Sequence, residues 1–329
     1  MFDLEGEQVV RTIKERKAKR VLLQFPEGLK RYAIATALSI GRETGALAIV
    51  SADPCYGACD IEVDGARSIQ ADLIIHYGHC QYSEETNIPT VYVETKWRGS
   101  ISDVLERVVP LLAPYQKIGL VTTVQHTHQL GSAREFLEKQ GKLVKIGHGS
   151  ERFGREGQIL GCDFSSALSI QHEVDAFLFI GGGVFHPLGL ALATDHVVIA
   201  ADPFTLKVEN LSDRKRRTLR RRWQALEAAR KAARIGIVVG LKSGQKRLGE
   251  ACRIKKMLED LGKEAVLLCS REISPEHIAN FTNLEAIVET GCPRIAVDDS
   301  SRFSIPVLNQ REAMILVGED SWEAYAGET

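Results

Sequence analysis

Three stretches open alike: KRVLLQFPEGL (residues 19–29), KIGLVTTVQHTHQLG (117–131) and RIGIVVGLKSGQKRLG (234–249). Each starts on a basic residue, runs through a short segment rich in β-branched side chains, and ends in a polar loop containing Gly, Gln or His. The runs Val21–Phe25, Ile118–Val124 and Ile235–Leu241 have the length and near-continuous apolarity of parallel strands buried on both faces. A helical stretch follows each. The clearest is CRIKKMLEDLGK, with Ile254, Met257, Leu258 and Leu261 on one face and Gly262 as its C-cap. Second strands follow at ALAIVS (46–51), KLVKIG (142–147) and EAVLLCS (264–270), and third strands lie in ADLIIHYG, VDAFLFIGGG and LEAIVETGCPRIAV.

This alternation recurs every ~100 residues, which predicts triplication of a whole domain rather than a solenoid of short repeats. The expected fold is α/β: three similar parallel-sheet α/β domains arranged around a central site. They are placed at residues 1–113, 114–205 and 206–329, the last comprising a basic linker helix plus the third domain. A length of 329 residues suits such a division.

The chain is 44% hydrophobic and 26% charged, a soluble globular composition. Its 42 Lys and Arg against 43 Asp and Glu leave a net charge of −1, which argues against non-specific coating of nucleic acid. No apolar run approaches the ~20 residues of a membrane span, and MFDLEGEQVVRTIKERKAKR lacks the apolar stretch of a signal peptide. A cytoplasmic protein is expected.

Seven cysteines at scattered spacing are not a disulfide framework in that compartment. Cys252 opens an amphipathic helix and Cys269 lies in an apolar strand, so both read as small core residues. Three others differ. Cys59 (or Cys55), Cys162 and Cys292 sit at the carboxyl ends of strands from three domains, beside Gly, Asp, Ser or Pro. Ligands collect at such ends in parallel sheets, and small neighbours let a bulky inorganic group approach the backbone. Structural zinc needs local ligand pairs. Cys55-X3-Cys59 is one such pair, but Glu62 stands where a CxxxCxxC signature requires cysteine. Three thiolates converging from separate domains suit a 4Fe-4S cluster with one iron open.

The histidines His76, His79, His126, His128 and His186 stand near strand ends and read as hydrogen-bonded or substrate-contacting residues, none as a metal ligand. Gly181–Gly183 match neither phosphate-loop pattern and read as room for a ligand to touch backbone. RKRRTLRRRW (214–223) reads first as a solvated helix joining the second and third domains, ahead of nucleic-acid binding, with docking of an acidic protein as a third possibility.

DPCYGACDIE (53–62), ADLIIHYGHCQY (71–82), TVQH (123–126), LGCDFSSA (160–167) and CPRIAVDD (292–299) together strongly resemble the archaeal-type first enzyme of diphthamide formation, the 2-(3-amino-3-carboxypropyl)histidine synthase family. The resemblance extends from PEGL near residue 26 to IPVLNQREA at 305–313. It implies a homodimer, an external electron donor, and a 4Fe-4S cluster held by Cys59, Cys162 and Cys292, leaving Cys55, Cys80, Cys252 and Cys269 without a cluster role. The implied reaction moves the 3-amino-3-carboxypropyl group of S-adenosylmethionine (SAM) to C2 of a histidine in translation elongation factor 2 by a non-standard radical-SAM route, releasing methylthioadenosine.

Placement at strand ends puts Gln245, Gly182, Gly183 and Asp298 in the SAM pocket, with Asp299 and Arg294 anchoring the CPRIAVDD loop. By the triplication, Pro26–Gly28, Gln125–His126 and Ser243–Gln245 are expected to face one central cavity. The rival enzyme is quinolinate synthase, which shares three α/β domains and a three-cysteine cluster. A rival of another class is a non-catalytic cluster-carrying partner protein.

Overall fold

The computed structural model describes residues 1–81, 87–149 and 155–327. Three sheets lie among the described residues. The first contains β1 (Arg20–Gln24), β2 (Leu47–Val50), β3 (Leu73–Tyr77) and β4 (Thr90–Val93) in the order β2-β1-β3-β4. The second contains β5 (Lys117–Thr122), β6 (Leu143–Lys145), β7 (Ala176–Ile180), β8 (Val197–Asp202) and β9 (Lys207–Asn210) in the order β6-β5-β7-β8-β9. The third contains β10 (Arg234–Gly240), β11 (Glu264–Ser270), β12 (Ala286–Glu289) and β13 (Val307–Leu308) in the order β11-β10-β12-β13. Every pairing is parallel except β8 with β9.

The central strands are apolar on both faces because helices cover both. Val21 pairs with Leu73, Leu120 with Leu178 and Ile237 with Val288 in equivalent registers. In each sheet the chain reverses its winding between the first and third strands. The carboxyl ends on either side of that switch point are where parallel sheets bind ligands.

A repeated acid supports the triplication. Asp72 accepts the N–H groups of Lys19 and Arg20 at 2.7 and 2.8 Å, and Asp175 accepts those of Gln116 and Lys117 at 2.9 and 2.7 Å. Glu285 accepts the Ala233 N–H at 2.6 Å. In each unit, an acid just before the third strand satisfies donors that open the first.

Packing crosses the expected boundaries. The helix Ser102–Leu112 precedes residue 114, yet Val104, Leu105, Val108 and Leu112 share a core with Leu120, Leu178 and Ile199 of the second sheet. That sheet also continues through β9 to Asn210, beyond residue 205.

Three smaller expectations are corrected. Cys269 is exposed because β11 is an edge strand, and Cys252 is exposed on the outer side of the helix Leu248–Asp260. Leu261 is also exposed, since that helix buries Ala251, Ile254 and Leu258 and ends just before Gly262, whose φ of 77° needs no Cβ.

The basic run forms half of a 20-residue helix, Ser212–Lys231, but it is not a uniformly solvated helix. Thr218, Arg222, Leu226 and Ala229 form a buried stripe at three- and four-residue spacing. Arg222 is completely buried. Its Nε donates to Glu312 at 2.7 Å, Nη1 donates to the Ala296 carbonyl at 2.6 Å, and Nη2 reaches both Glu312 and the Val307 carbonyl. Lys215 donates to the Thr194 carbonyl at 2.9 Å, so the helix ties the second unit to the third.

Removing one partner of a buried pair strands the other charge. Arg222→Ala is expected to cost about 3–5 kcal/mol, read as a fall in the urea midpoint, whereas exposed Arg220→Ala stays within about 0.5 kcal/mol. Equal midpoints for the two variants would show that the Arg222 pair adds nothing.

The repeated acids predict a pH effect. Backbone hydrogen bonds hold the Asp72 and Asp175 carboxyls below their ordinary value of 3.8. The stability they contribute is present above that value and is lost as pH falls through the lowered folded-state values. Asp72→Asn with Asp175→Asn therefore flattens the acid limb of the urea-midpoint profile; a profile parallel to wild type would refute the effect.

Candidate metal centre and active site

Cys59 sits in the irregular loop between β2 and the helix Val63–Ser68, and the third unit holds that loop in place. The Cys59 carbonyl accepts the Gly244 N–H at 2.8 Å and the Ser243 hydroxyl at 3.3 Å, while Ser243 Oγ accepts the Ile61 N–H at 3.1 Å. Gln245 Nε2 lies 3.4 Å from Cys59 Sγ. Ion pairs surround this seam. The buried ammonium of Lys242 stands 3.4 Å from Asp60, 2.9 Å from Glu272 and 4.0 Å above the Tyr56 ring. The Tyr56 hydroxyl donates to Glu272 at 3.0 Å, and Arg271 pairs with Glu62.

The segments that carry Cys162 and Cys292 meet across the second and third units. A Cβ on Gly161 would fall 2.3 Å from the Phe185 ring, so that ring packs directly beside the Cys162 backbone. The Arg294 guanidinium lies 4.4 Å from the same ring, donates to the Phe185 carbonyl at 2.8 Å, and pairs with Asp298 at 2.8 Å. Arg294 is two residues from Cys292. Burial drives the Cys292 thiol up to about 12, and the charges of Glu289, Cys59 and Cys162 push the same way. Gln245 links the Cys59 and Cys292 segments: its Nε2 lies 3.4 Å from Cys59 Sγ, and a Cβ on Gly291 would fall 3.1 Å from its Oε1.

Their places in the repeat are unequal. Cys59 follows a second strand, as does Cys162, whereas Cys292 follows the third strand β12. The topological equivalent of Cys292 in the first unit is Cys80, which accepts Gln158 Nε2 at 3.0 Å.

Comparison with known proteins now bears on the site. Residues 25–326 match the family model described as diphthamide synthesis protein. The chain belongs to the diphthamide synthesis protein family. It is 38% identical over 319 residues to 2-(3-amino-3-carboxypropyl)histidine synthase of Pyrococcus horikoshii, covering 97% of this chain and 91% of that one. It is 32% identical to subunit 1 of the synthase from Aspergillus fumigatus, covering 98% and 73% of the two chains. The crystal structure of Dph2 from Pyrococcus horikoshii with a 4Fe-4S cluster matches at a TM-score of 0.89 and 36% identity, covering 98% and 93%. The chain is an enzyme of this family, so the quinolinate synthase and carrier alternatives fall away.

In this diphthamide-family chain, a hydrogen-bond chain fixes the histidines behind the Cys59 loop. Gln24 donates from Nε2 to the Asp60 carbonyl at 2.7 Å and accepts the Glu62 N–H on Oε1 at 3.2 Å, which sets its amide orientation. His76 Nδ1, 2.9 Å from that Oε1, must therefore carry a proton. Burial holds His76 well below its ordinary value and His79 down to about 4, so both rings are neutral. His76 Nε2 is then an acceptor for His79 Nδ1 at 2.9 Å. The donor atoms of Cys55, His76 and His79 lie within 4.8 Å of one another, but these ring nitrogens are already hydrogen-bonded. His186 feels His79 and Arg294 and is likewise held neutral, at about 4, chiefly by burial.

The other expected residues fall as follows. Gly182 and Gly183 lie at the carboxyl end of β7, close to His186; Gly183 N–H donates to Asp202 at 3.2 Å. Asp298 is paired with Arg294, while Asp299 faces Arg302 at 3.6 Å. The loops Pro26–Gly28, Gln125–His126 and Ser243–Gln245 do not share one task. Ser243–Gln245 grips the Cys59 loop, and Gln125 donates to the Gly78 carbonyl of the first unit at 2.6 Å. His126 packs between Trp97 and Phe204, and Pro26 packs against Gly78 within its own unit.

Sequence reading missed Glu289. It accepts the Cys292 N–H at 2.8 Å, and burial raises its carboxyl to about 8. The available signal was an acid ending the apolar strand LEAIVE.

Gly244 offers a direct test of the seam, because a Cβ there would fall 2.7 Å from Cys59 Cα and 2.8 Å from its Cβ. Gly244→Ala is expected to displace the Cys59 loop and reduce the iron retained after anaerobic purification. Gly249→Ala, where a Cβ meets nothing, serves as the control. Identical iron content in both variants would contradict the seam.

Proposed function

We propose that this enzyme transfers the 3-amino-3-carboxypropyl group of SAM to C2 of a histidine in translation elongation factor 2, releasing methylthioadenosine, at a 4Fe-4S cluster held by Cys59, Cys162 and Cys292. The observation that supports the reading is a set of three cysteines, one per unit, whose segments are linked by Gln245 (Cys59 to Gly291) and by Phe185 (Gly161 to Arg294), in a chain that aligns almost end to end with the cluster-containing Dph2 structure.

The donor set fits the cofactor. Burial raises the Cys59 and Cys292 thiols, so without a metal they stay protonated; a cationic iron–sulfur core stabilises the thiolate forms. The chemistry a bound cluster supplies is one electron to the sulfonium and an open iron corner for the methionyl end. An imidazole C2 is a poor nucleophile toward an alkyl donor at neutral pH, which makes a radical route reasonable.

The protein's own work is orientation: which carbon–sulfur bond breaks depends on which carbon is held nearest the metal. Gln245, beside Cys59, and Gly182 and Gly183, beside His186, are assigned to hold SAM. Asp298 contributes a carboxylate whose position the Arg294 pair sets. Neutral His79 and His186 leave the pocket without added positive charge to oppose a sulfonium. The reading includes a homodimer, an external electron donor and a cytoplasmic setting. No described helix is long and apolar enough to cross a membrane.

The test is anaerobic purification with iron and sulfide analysis, followed by dithionite, labelled SAM and elongation factor 2. Label is expected in the factor, with methylthioadenosine in equal amount. Cys59→Ala, Cys162→Ala and Cys292→Ala should each abolish transfer and lower bound iron, while Cys252→Ala leaves both intact. Full turnover by Cys292→Ala would remove the assignment.

A further inference from the structure

The basic helix Ser212–Lys231 divides its cations between two uses. Most are committed to partners: Arg214 to Glu209, Lys215 to Asp195, Arg216 to Asp213, Arg222 to Glu312 and Arg230 to Glu227. Arg217 and Arg220 are exposed, and no ion pair of either is found among the described residues. Arg221, also exposed, donates to the Thr218 hydroxyl at 3.3 Å. Positions 217, 220 and 221 are neighbours on one face of the helix, where like charges repel and destabilise it. Trp223, 40% exposed, adjoins Arg220 at the next three-residue step and packs edge-on to Trp322 at 4.9 Å.

This face adjoins the site. Arg222, the next residue along the helix, donates to the Ala296 carbonyl at 2.6 Å, in the CPRIAVDD segment that begins at Cys292. Asp298 of the same segment pairs with Arg294, two residues from Cys292. Two arginines without an ion pair among the described residues, Arg217 and Arg220, with Arg221 and an exposed indole beside them, thus flank the segment that carries Cys292.

We propose that Arg217, Arg220 and Arg221 form a docking face for an acidic surface of the protein substrate, next to the histidine being modified. This rests on the function proposed above. Charge complementarity at the edge of an interface speeds encounter and sets orientation, a suitable role beside a site that must admit one side chain of a large protein. A protein partner is favoured over nucleic acid because Arg217 to Arg221 spans only about 6 Å along the helix, too short to follow a phosphate backbone. The chain also has no overall basic excess.

The test uses the full-length, cluster-loaded enzyme with Arg217→Glu and Arg220→Glu combined, leaving Arg221 in place because it donates to Thr218. Binding of elongation factor 2 is measured by calorimetry against ionic strength, alongside steady-state transfer. The variant is expected to raise KM for the factor about tenfold and to flatten the salt dependence of binding, with kcat unchanged. Methylthioadenosine released without acceptor stays at the wild-type rate, which reports an intact site. Arg217→Gln with Arg220→Gln should fall between the two.

Unchanged KM and salt slope would overturn the proposal, as would selective loss of binding to an RNA oligonucleotide with the factor still bound normally. Wild-type enzyme that cleaves SAM and binds the factor in a salt-dependent, Arg217- and Arg220-dependent way, yet never labels it, would keep the docking face and refute the transfer reaction instead.

Discussion

The arrangement of the site depends on a main-chain hydrogen bond between units: the Gly244 N–H donating to the Cys59 carbonyl. The loop from Ser51 to Glu62 has no strand or helix of its own, so its buried backbone groups must find partners elsewhere. It takes them from Gln24 below and from Ser243 and Gly244 across the seam. Each such bond is worth about 1 kcal/mol net, but leaving the same groups buried and unpaired costs more, so the loop has little reason to hold its shape away from the third unit. The position of Cys59 is therefore a tertiary property. It is set when the first and third units dock, with Lys242 between Asp60 and Glu272 and Arg271 on Glu62 closing the seam.

Burial then gives the pocket a consistent electrical character. Cys55, Cys59 and Cys292 are pushed toward the thiol, Glu289 toward the carboxylic acid, and His76, His79 and His186 toward neutral imidazole. In every case desolvation is the leading cause. Acids and bases have moved in opposite directions to the same result, a lining that carries little charge of its own. Such a lining suits cationic guests, because thiols can yield protons when a metal core arrives and no histidine charge opposes a sulfonium. The charges that persist stand around it: Arg294 with Asp298, and Lys242 with its two carboxylates.

Much of this was legible in the sequence because it is encoded locally. β-Branched runs bounded by polar loops mark buried parallel strands, and small residues beside Cys59, Cys162 and Cys292 mark strand-end sulfurs. What was not legible depends on partners far along the chain. Arg222 lies in a run of seven basic residues and looks solvated. Only Glu312, 90 residues later, and the carbonyls of Ala296 and Val307 make it a core residue. Cys269 looks buried in its apolar strand, but strand order, which no local pattern states, places β11 at an edge. The helix Ser102–Leu112 follows the first sheet in sequence, yet its apolar side packs on the second.

The three units repeat a scaffold without repeating a site. Had each copy used the same tail, the third sulfur would follow β11. That position instead holds Ser270, Arg271 and Glu272, whose charged side chains bind the loop carrying Cys59. In the first unit the tail after β3, equivalent to that of Cys292, holds His79 and Cys80, engaged by His76 and Gln158. Each unit thus uses some of its strand ends to hold a neighbour, and each also carries one of Cys59, Cys162 and Cys292. The sulfurs that result are unequal, with Cys59 and Cys292 half-buried and Cys162 exposed. Two are seated within packed seams and the third meets solvent, because the Cys59 and Cys292 segments lie where units dock, whereas the Cys162 side chain stays on the outside of its own.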